Sequence, residues 1–240
     1  MKIAILSDVH ANLEALQAVF ADLSTRGADD IVCLGDCVGY GGSPRECLEF
    51  LFDKCSTIIA GNHDLAAAGI LSDERFNEMG RVSVRFARQR ITLQQQHRLR
   101  QLPIEKEVEG VLLVHSSPLR AETFPYIQHP RNAEEAFRDR SFRVACFGHT
   151  HVPVTFRFIE QQVTTSLNPV TQLLEGSYLC NVGSVGQPRD RDPRASYGIL
   201  DTQKGELRRY RVEYDIEAAS ARIAEAGLPE FLGRRLTVGV

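Results

Sequence analysis

The chain has 240 residues, 43% hydrophobic and 25% charged, a globular composition long enough to bury an extensive core without staples. A formal charge of −3 gives no overall attraction to nucleic acid or to a membrane surface, and no apolar run approaches a membrane span. The six cysteines include no CxxC pair, which excludes a zinc knuckle or a thioredoxin-like site; they read as reduced thiols of a cytoplasmic protein.

One pattern recurs along the chain: a short apolar run that ends abruptly in polar residues. Ile3-Ala4-Ile5-Leu6 leads into Ser7-Asp8-Val9-His10. Leu13, Leu16, Val19, Phe20 and Leu23 then have helical spacing, with Gly27 as the stop. Ile31-Val32-Cys33-Leu34 leads into Gly35-Asp36. Ser43-Pro44-Arg45-Glu46 has the pattern of a capping box opening a second helix. Thr57-Ile58-Ile59-Ala60 leads into Gly61-Asn62-His63-Asp64.

Residues 73–102 form a long helical stretch without obvious ligands, expected as an outer helix pair, with a cap over a site as the other reading. Val111 to Val114 leads into His115, and Val144 to Phe147 into Gly148-His149-Thr150-His151. Tyr178-Leu179-Cys180 leads into Asn181-Val182-Gly183-Ser184. Residues 154–160, 196–201 and 206–214 have strand character without long intervening helices, which predicts hairpins and a second, more antiparallel sheet. Residues 215–236 return to a helical pattern, a C-terminal helical tail on a domain taken to span 1–240.

Short runs apolar on both faces suit strands covered on both sides, and the early alternation with helices predicts an α/β sheet. Ligands of open α/β sheets bind beyond the carboxyl ends of the strands. Folding is therefore expected to gather Asp8, His10, Asp36, Asn62, His63, His115, His149 and His151, including five of the seven histidines. His97 and His129 are read as solvated. In extended chain, residues i and i+2 share a side about 6–7 Å apart, so Asp8/His10 and His149/His151 could each straddle metal ions about 3.5–4 Å apart. Imidazole, carboxylate and amide donors without thiolate suit Mn, Fe, Zn, Co or Ni. Two such ions with two carboxylates and a hydroxide keep a net positive charge, which fits a phosphate ester.

Asp8-Val9-His10, Gly35-Asp36, Gly61-Asn62-His63-Asp64, His115 and Gly148-His149-Thr150-His151 occur in the order D-x-H, GD, GNH[DE], H, GHxH. In this the chain resembles the calcineurin-like metallophosphoesterase superfamily over about residues 1–200. The resemblance implies a four-layer α/β/β/α sandwich of two mixed sheets flanked by helices. It implies a first metal held by Asp8, His10, Asp36 and His151, and a second held by Asp36, Asn62, His115 and His149. A metal-bridging hydroxide would attack the phosphorus, His63 would protonate the leaving oxygen, and Asp64 would orient His63. Two divalent transition-metal ions are the implied cofactors, with Mn the expected activator in vitro.

Gly35-Asp36-Cys37-Val38-Gly39-Tyr40-Gly41 lacks the GDxxDR continuation of many members and is similar to a GDxVGYG branch of small bacterial phosphodiesterase-like proteins. Asn181-Val182-Gly183-Ser184-Val185-Gly186-Gln187-Pro188-Arg189-Asp190 is similar to that branch's NPGSVGQPRD, with Val182 in place of Pro. Tyr40 is a candidate to line the substrate, or only part of a tight loop. Arg189 is a candidate phosphate contact, or one charge in a solvated turn with Asp190, Arg191, Asp192 and Arg194. Cys37 is expected to point away from the metals. The expected function is hydrolysis of phosphodiesters or nucleotide-like esters, with a small phosphate ester as substrate. A phosphomonoesterase or protein phosphatase is the alternative, and a non-catalytic scaffold of the same fold a third reading. The sequence is silent on oligomeric state.

Overall fold

Alternation along the first strand sets the layering. The computed structural model describes residues 1–240. In β1 (Lys2–Leu6), Ile3 and Ile5 point one way and Ala4 and Leu6 the other, as strand geometry requires, and all four are fully buried. Ala4 and Leu6 pack under α1 (Leu13–Arg26) and α2 (Pro44–Lys54), against Leu16, Val19, Cys47, Leu48 and Leu51. Ile3 and Ile5 face a second sheet across a core that includes Val32, Leu34, Leu113, Val144, Cys146 and Cys180. A buried leucine or isoleucine in such a layer contributes about 1.5–3 kcal/mol.

The first sheet has the order β3-β2-β1-β11-β12-β9, formed by β3 (Thr57–Ile58), β2 (Asp30–Cys33), β1, β11 (Ala195–Asp201), β12 (Glu206–Val212) and β9 (Val170–Gln172). β1 to β3 run parallel, whereas β11 lies antiparallel to β1 with Ile5 opposite Gly198. The second sheet has the order β4-β5-β6-β10-β7-β8. Its strands are β4 (Glu105–Val108), β5 (Val111–Val114), β6 (Val144–Phe147), β10 (Ser177–Asn181), β7 (Val154–Ile159) and β8 (Gln162–Ser166). β5, β6 and β10 are parallel, and β7 and β8 form an antiparallel hairpin at one edge. The helix α6 (Pro130–Asp139) covers its outer face through Ala133, Ala136 and Phe137. The fold is thus α/β/β/α.

The late strands do not form a separate antiparallel sheet. β9, β11 and β12 extend the first sheet, and β7, β8 and β10 extend the second. β1 takes β2 on one side and β11 on the other, so an early and a late strand share one ladder. Arg209 of β12 joins the two sheets from within: it donates to the carbonyls of Asn181 (2.7 Å) and Asn168 (3.0 Å) and to Thr155 Oγ1.

The helix ends follow their sequence signals with one exception. Asn12 Oδ1 accepts the Ala15 N–H at 3.1 Å, and Gly27, at φ 72°, donates to Leu23 O at the other end of α1. Ser43 precedes α2 but makes no side-chain cap; its N–H instead donates to Ala11 O at 3.0 Å, tying the helix entry to the β1 loop. Residues 73–102 contain α4 (Glu78–Arg90) and α5 (Leu93–Arg100), which lie against α2 and the short α3 (Asn62–Ala67). Residues beyond 215 form α7 (Ile216–Glu225) and α8 (Glu230–Arg234); Ala219, Ile223 and Leu232 of these helices, with Leu228 and Leu236 from the turns beside them, cluster with Tyr40. No helix is long and apolar enough to cross a membrane.

Candidate metal centre

The loops leaving β1, β2, β5 and β6, together with the first turn of α3, converge at one end of the two sheets. Asp8, His10, Asp36, His115, His149 and His151 are all buried there. The pairs Asp8/His10 and His149/His151 reach this point by a route other than extended chain. Asp8 (φ 53°), His10 (φ 48°), Asp36 (φ 52°), His149 (φ 64°) and His151 (φ 60°) all occupy the left-handed region. The i, i+2 spacing therefore works through a chain of tight turns rather than a strand. Such conformations cost about 1–3 kcal/mol each and persist only where surrounding contacts fix them.

Those contacts come from the loop after β10. Ser184 Oγ donates to Asp8 O (2.7 Å), and Gly186 N donates to the same carbonyl (3.0 Å). Asn181 Nδ2 donates to Gly148 O (2.7 Å) and Thr150 Oγ1 (3.0 Å), holding the histidine turn. Gly148 itself is needed for proximity: a Cβ there would lie 2.5 Å from Asp8 Oδ2. Val182, where proline is usual in the similar motif, is buried between the sheets.

The ring tautomers follow from the backbone. His10 Nδ1 faces Val38 O at 3.0 Å, His115 Nδ1 faces Leu34 O at 2.8 Å, and His151 Nδ1 faces Gln187 O at 2.6 Å. A carbonyl only accepts, so each Nδ1 carries a proton, and the ring in its neutral form presents Nε2 as a bare donor to metal. His10 Nε2 and His151 Nε2 then stand 3.1 Å apart, with Asp8 Oδ1 3.3 Å from the latter. His115 Nε2 lies 3.1 Å from His149 Nδ1 and 3.3 Å from Asp36 Oδ2. Asp36 Oδ2 is also 3.6 Å from His10 Nε2, so one carboxylate oxygen adjoins both groups. His149 Nε2 and Asn62 Oδ1 are buried with no hydrogen-bond partner.

Lone pairs and carboxylates aimed at common points repel unless a cation lies among them. The donor set therefore fits divalent metal at Asp8–His10–His151 and at Asp36–His115–His149, with Asn62 Oδ1 turned to no protein partner. Titration agrees with ready ligands at His10, His149 and His151. Burial holds His10 and His151 well below the usual imidazole range and brings His149 down to about 3. Burial pushes Asp8 up to about 7, a carboxylate lacking a compensating cation. His115 runs the other way: burial opposes its charge, but Asp36 outweighs this and lifts it to about 10.

His63 lines the approach to this cluster. Its N–H donates to Asp36 Oδ1 at 2.9 Å, and its ring packs against His10, Tyr40 and Phe76 with centroids 4.9, 4.6 and 4.7 Å away. Its Nδ1 is buried without a partner, and burial lowers its pKa to about 4. Asp64 does not touch that ring. Its Oδ1 accepts from Cys37 N (2.9 Å) and Val38 N (3.3 Å), and its Oδ2 accepts from Gly61 N (3.0 Å). Consecutive residues of a helix point about 100° apart, so Asp64 pins the Asp36 turn to α3 while His63 faces the cluster.

Tyr40 is buried between His10, His63 and the C-terminal helices. Arg189 is half-buried, with Cζ 5.6 Å from the Tyr40 ring and Nη2 donating to Gln187 Oε1 at 2.9 Å. Its Nε is buried and unpartnered, whereas its neighbours in sequence are paired: Asp190 with Arg211, and Asp192 with Arg194. Cys37 packs away from the cluster beside Cys33, whose thiol contact and burial raise its pKa well above normal. All six cysteines are free, and His97 and His129 are exposed.

Two groups of residues escaped sequence reasoning. Ser184 and Gln187 lie in a motif whose backbone duties are invisible in residue types. Phe76, Phe124 and Tyr126 lie in irregular segments with no periodic signal, and they wall a cleft beside Asn62, His63 and His149.

Two facing sheets with a histidine–carboxylate cluster at one end define a class that the comparisons specify. Residues 1–205 match the calcineurin-like phosphoesterase superfamily domain. The chain is 37% identical to an uncharacterized protein of Methanocaldococcus jannaschii over 99% of this chain and 98% of that one. The crystal structure of a metallophosphoesterase from Sphaerobacter thermophilus is similar with a TM-score of 0.90, at 39% identity and 100% coverage of both chains. A hypothetical protein from Pyrococcus horikoshii OT3 shares the fold with a TM-score of 0.79 at 20% identity, over 100% of this chain and 98% of that one. The chain belongs to the calcineurin-like phosphoesterase superfamily.

Proposed function

We propose that the protein is a dinuclear metal-dependent phosphoesterase acting on phosphodiesters or nucleotide-like phosphate esters. The observation that carries this is the pair of histidine groups, His10 Nε2 with His151 Nε2 and His115 Nε2 with His149 Nδ1, each adjoining the single oxygen Asp36 Oδ2 through His10 and His115. The residues that would hold metal are Asp8, His10, Asp36 and His151 on one side, and Asp36, Asn62, His115 and His149 on the other. Mn, Fe, Zn, Co and Ni suit these donors. When bound, two divalent ions supply positive charge for phosphoryl oxygens and lower the pKa of a shared water towards ~7.

The chain's own groups do the rest. Asp36 fixes the separation of the two ligand groups, and the Ser184 and Asn181 hydrogen bonds fix their turns. His63, beside the ligand Asn62 and free at Nδ1, is the group placed to give a proton to the leaving oxygen. Bound cations would lower its pKa further, and the negative charge of an anionic ester would raise it. Arg189 presents an unpaired guanidinium Nε on the same side, suited to a phosphoryl oxygen. Tyr40 serves as wall for His10 and His63. The cleft beyond His63 gives room for a substituent on the leaving side, which supports a diester or nucleotide-like ester over a bare phosphate.

The test is hydrolysis of bis(4-nitrophenyl) phosphate by metal-stripped protein resupplied with Mn. Asn62→Ala and His115→Ala are expected to abolish turnover, and full activity in both variants ends the proposal. His63→Ala should lose about 10²–10⁴-fold on esters with alkoxide leaving groups and much less on nitrophenyl esters, which leave without a proton.

A further inference from the structure

The cleft beside His63 has a volume of about 180 Å³, and its walls are aromatic. Phe76 presses edge-on to His63 with centroids 4.7 Å apart at 73°. Tyr126 lies flat on His149, 4.1 Å away at 27°, yet remains 48% exposed. An exposed aromatic stacked on a buried histidine presents its outer surface to whatever enters. Phe124 closes the base of the cleft beside the same histidine, with ring centroids 6.4 Å apart.

The segment that delivers Phe124 and Tyr126 is strained. Arg120 and Phe124 have φ of 57° and 55°, a left-handed backbone that bulky residues rarely adopt. Strain of this kind is concentrated where a site must be held in one geometry. The rim is polar: Thr123, Asn77 and the exposed Arg75, whose guanidinium has no carboxylate partner, border the aromatic walls. Flat apolar walls with hydrogen-bonding groups at the edge match a heteroaromatic ring with a polar perimeter. They do not match an alkyl chain, which needs no polar rim.

We propose that this cleft seats a nucleobase of the ester's leaving group, placed by Phe76 and Tyr126 so that the nucleoside oxygen lies next to His63. This rests on the phosphoesterase reading above and narrows its substrate class to esters whose leaving alcohol is a nucleoside. Phe76 and Tyr126 then determine specificity by stacking, and Asn77 and Thr123 supply polar contacts to the base edge. Stacking of a base on an aromatic side chain accounts for roughly 5- to 150-fold in affinity when that side chain is removed.

The experiment measures binding, so it does not depend on turnover. Affinities of adenosine 5′-monophosphate and ribose 5-phosphate for the Mn-loaded protein are determined by calorimetry, and their ratio is taken within each variant. Any disturbance of the metals affects both ligands alike and cancels. The wild-type protein is expected to favour adenosine monophosphate by at least about tenfold. The ratio should fall towards unity in Phe76→Ala and Tyr126→Ala and be retained in Tyr126→Phe. Equal affinities in the wild type, or a ratio that survives both alanine substitutions, overturns the assignment. Phenyl phosphate binding as tightly as adenosine monophosphate also overturns it, because the cleft would then read flatness alone. Loss of all ester hydrolysis with a preserved ratio would defeat the phosphoesterase reading and leave the base site standing.

Discussion

Replacing Gly35 by alanine tests how closely the metal-side turns are fitted together. Gly35 precedes Asp36 and has φ of 94°, and a Cβ on it would stand 2.5 Å from Gly61 N and 2.7 Å from Ile59 O. Both are backbone atoms, so no side chain can swing aside. Restoring an ordinary 3.4 Å contact with Gly61 N requires a displacement of about 0.9 Å. The left-handed backbone adds about 1–3 kcal/mol for an L-residue, and overpacking adds a similar ~1–3 kcal/mol. A total of about 2–6 kcal/mol lowers the unfolding temperature by roughly 4–24 °C for a chain of this size.

The displacement falls on Gly61, whose N–H holds Asp64, and on the adjoining Asn62 and His63. Misplacement by about 1 Å costs about 10²-fold in rate. Calorimetric unfolding with and without chelator, together with nitrophenyl diester hydrolysis in Mn, measures both effects. A Gly35→Ala protein that melts within a degree of wild type and keeps its kcat/KM would falsify the reasoning.

Ser184→Ala removes the donor to Asp8 O and the acceptor of Gln187 N, and is expected to cost about 1–3 kcal/mol and to weaken Mn binding; unchanged unfolding and unchanged titration with Mn would count against the role of that loop. Stripping the metals should lower the unfolding temperature, and restoring Mn at a hundred times its dissociation constant should recover about 2.7 kcal/mol; a melting curve indifferent to chelator and Mn alike would contradict the metal assignment. Asp22 accepts from Arg26 (2.7 Å) and from Tyr197 Oη (2.7 Å), and chiefly the Arg26 hydrogen bond holds its carboxyl below the usual range. Because the folded pKa is depressed, its contribution is complete above the unfolded value of ~3.9 and is lost as pH falls through the folded value. Asp22→Asn should therefore destabilise by about 1 kcal/mol at pH 7, after allowance for screening, and the difference should close in strong acid; denaturant titrations at several pH values that show a constant gap would refute it.

Much of the architecture was readable because apolar runs such as Val144 to Phe147 end so sharply in histidines. A strand covered on both faces needs an unbroken apolar stretch, and the polar residues at its end have nowhere to go but the sheet edge. Sheet membership was less legible: nothing in Ala195–Asp201 announces that it pairs with β1 rather than with β10, because partner choice depends on distant contacts. The local conformation of Asp8, His10, His149 and His151 was misread as extended, since hydrogen bonds from Ser184 and Asn181 impose left-handed turns that residue type alone does not suggest. The resemblance implies that Asp64 orients His63, whereas the helical turn of α3 sends its carboxylate to the Asp36 loop. Tyr126 carried no signal, being a lone aromatic in an irregular segment.

The tie between Ser184 and the Asp8 carbonyl spans 176 positions of chain, and β1 waits for a partner strand that begins at Ala195. On a ribosome, the amino-terminal half would emerge with its first ligand turn unsupported and one edge of its first strand open. Capture of the proposed metals would then be a late event in biogenesis, with nearly all of the chain synthesised before they could stabilise it.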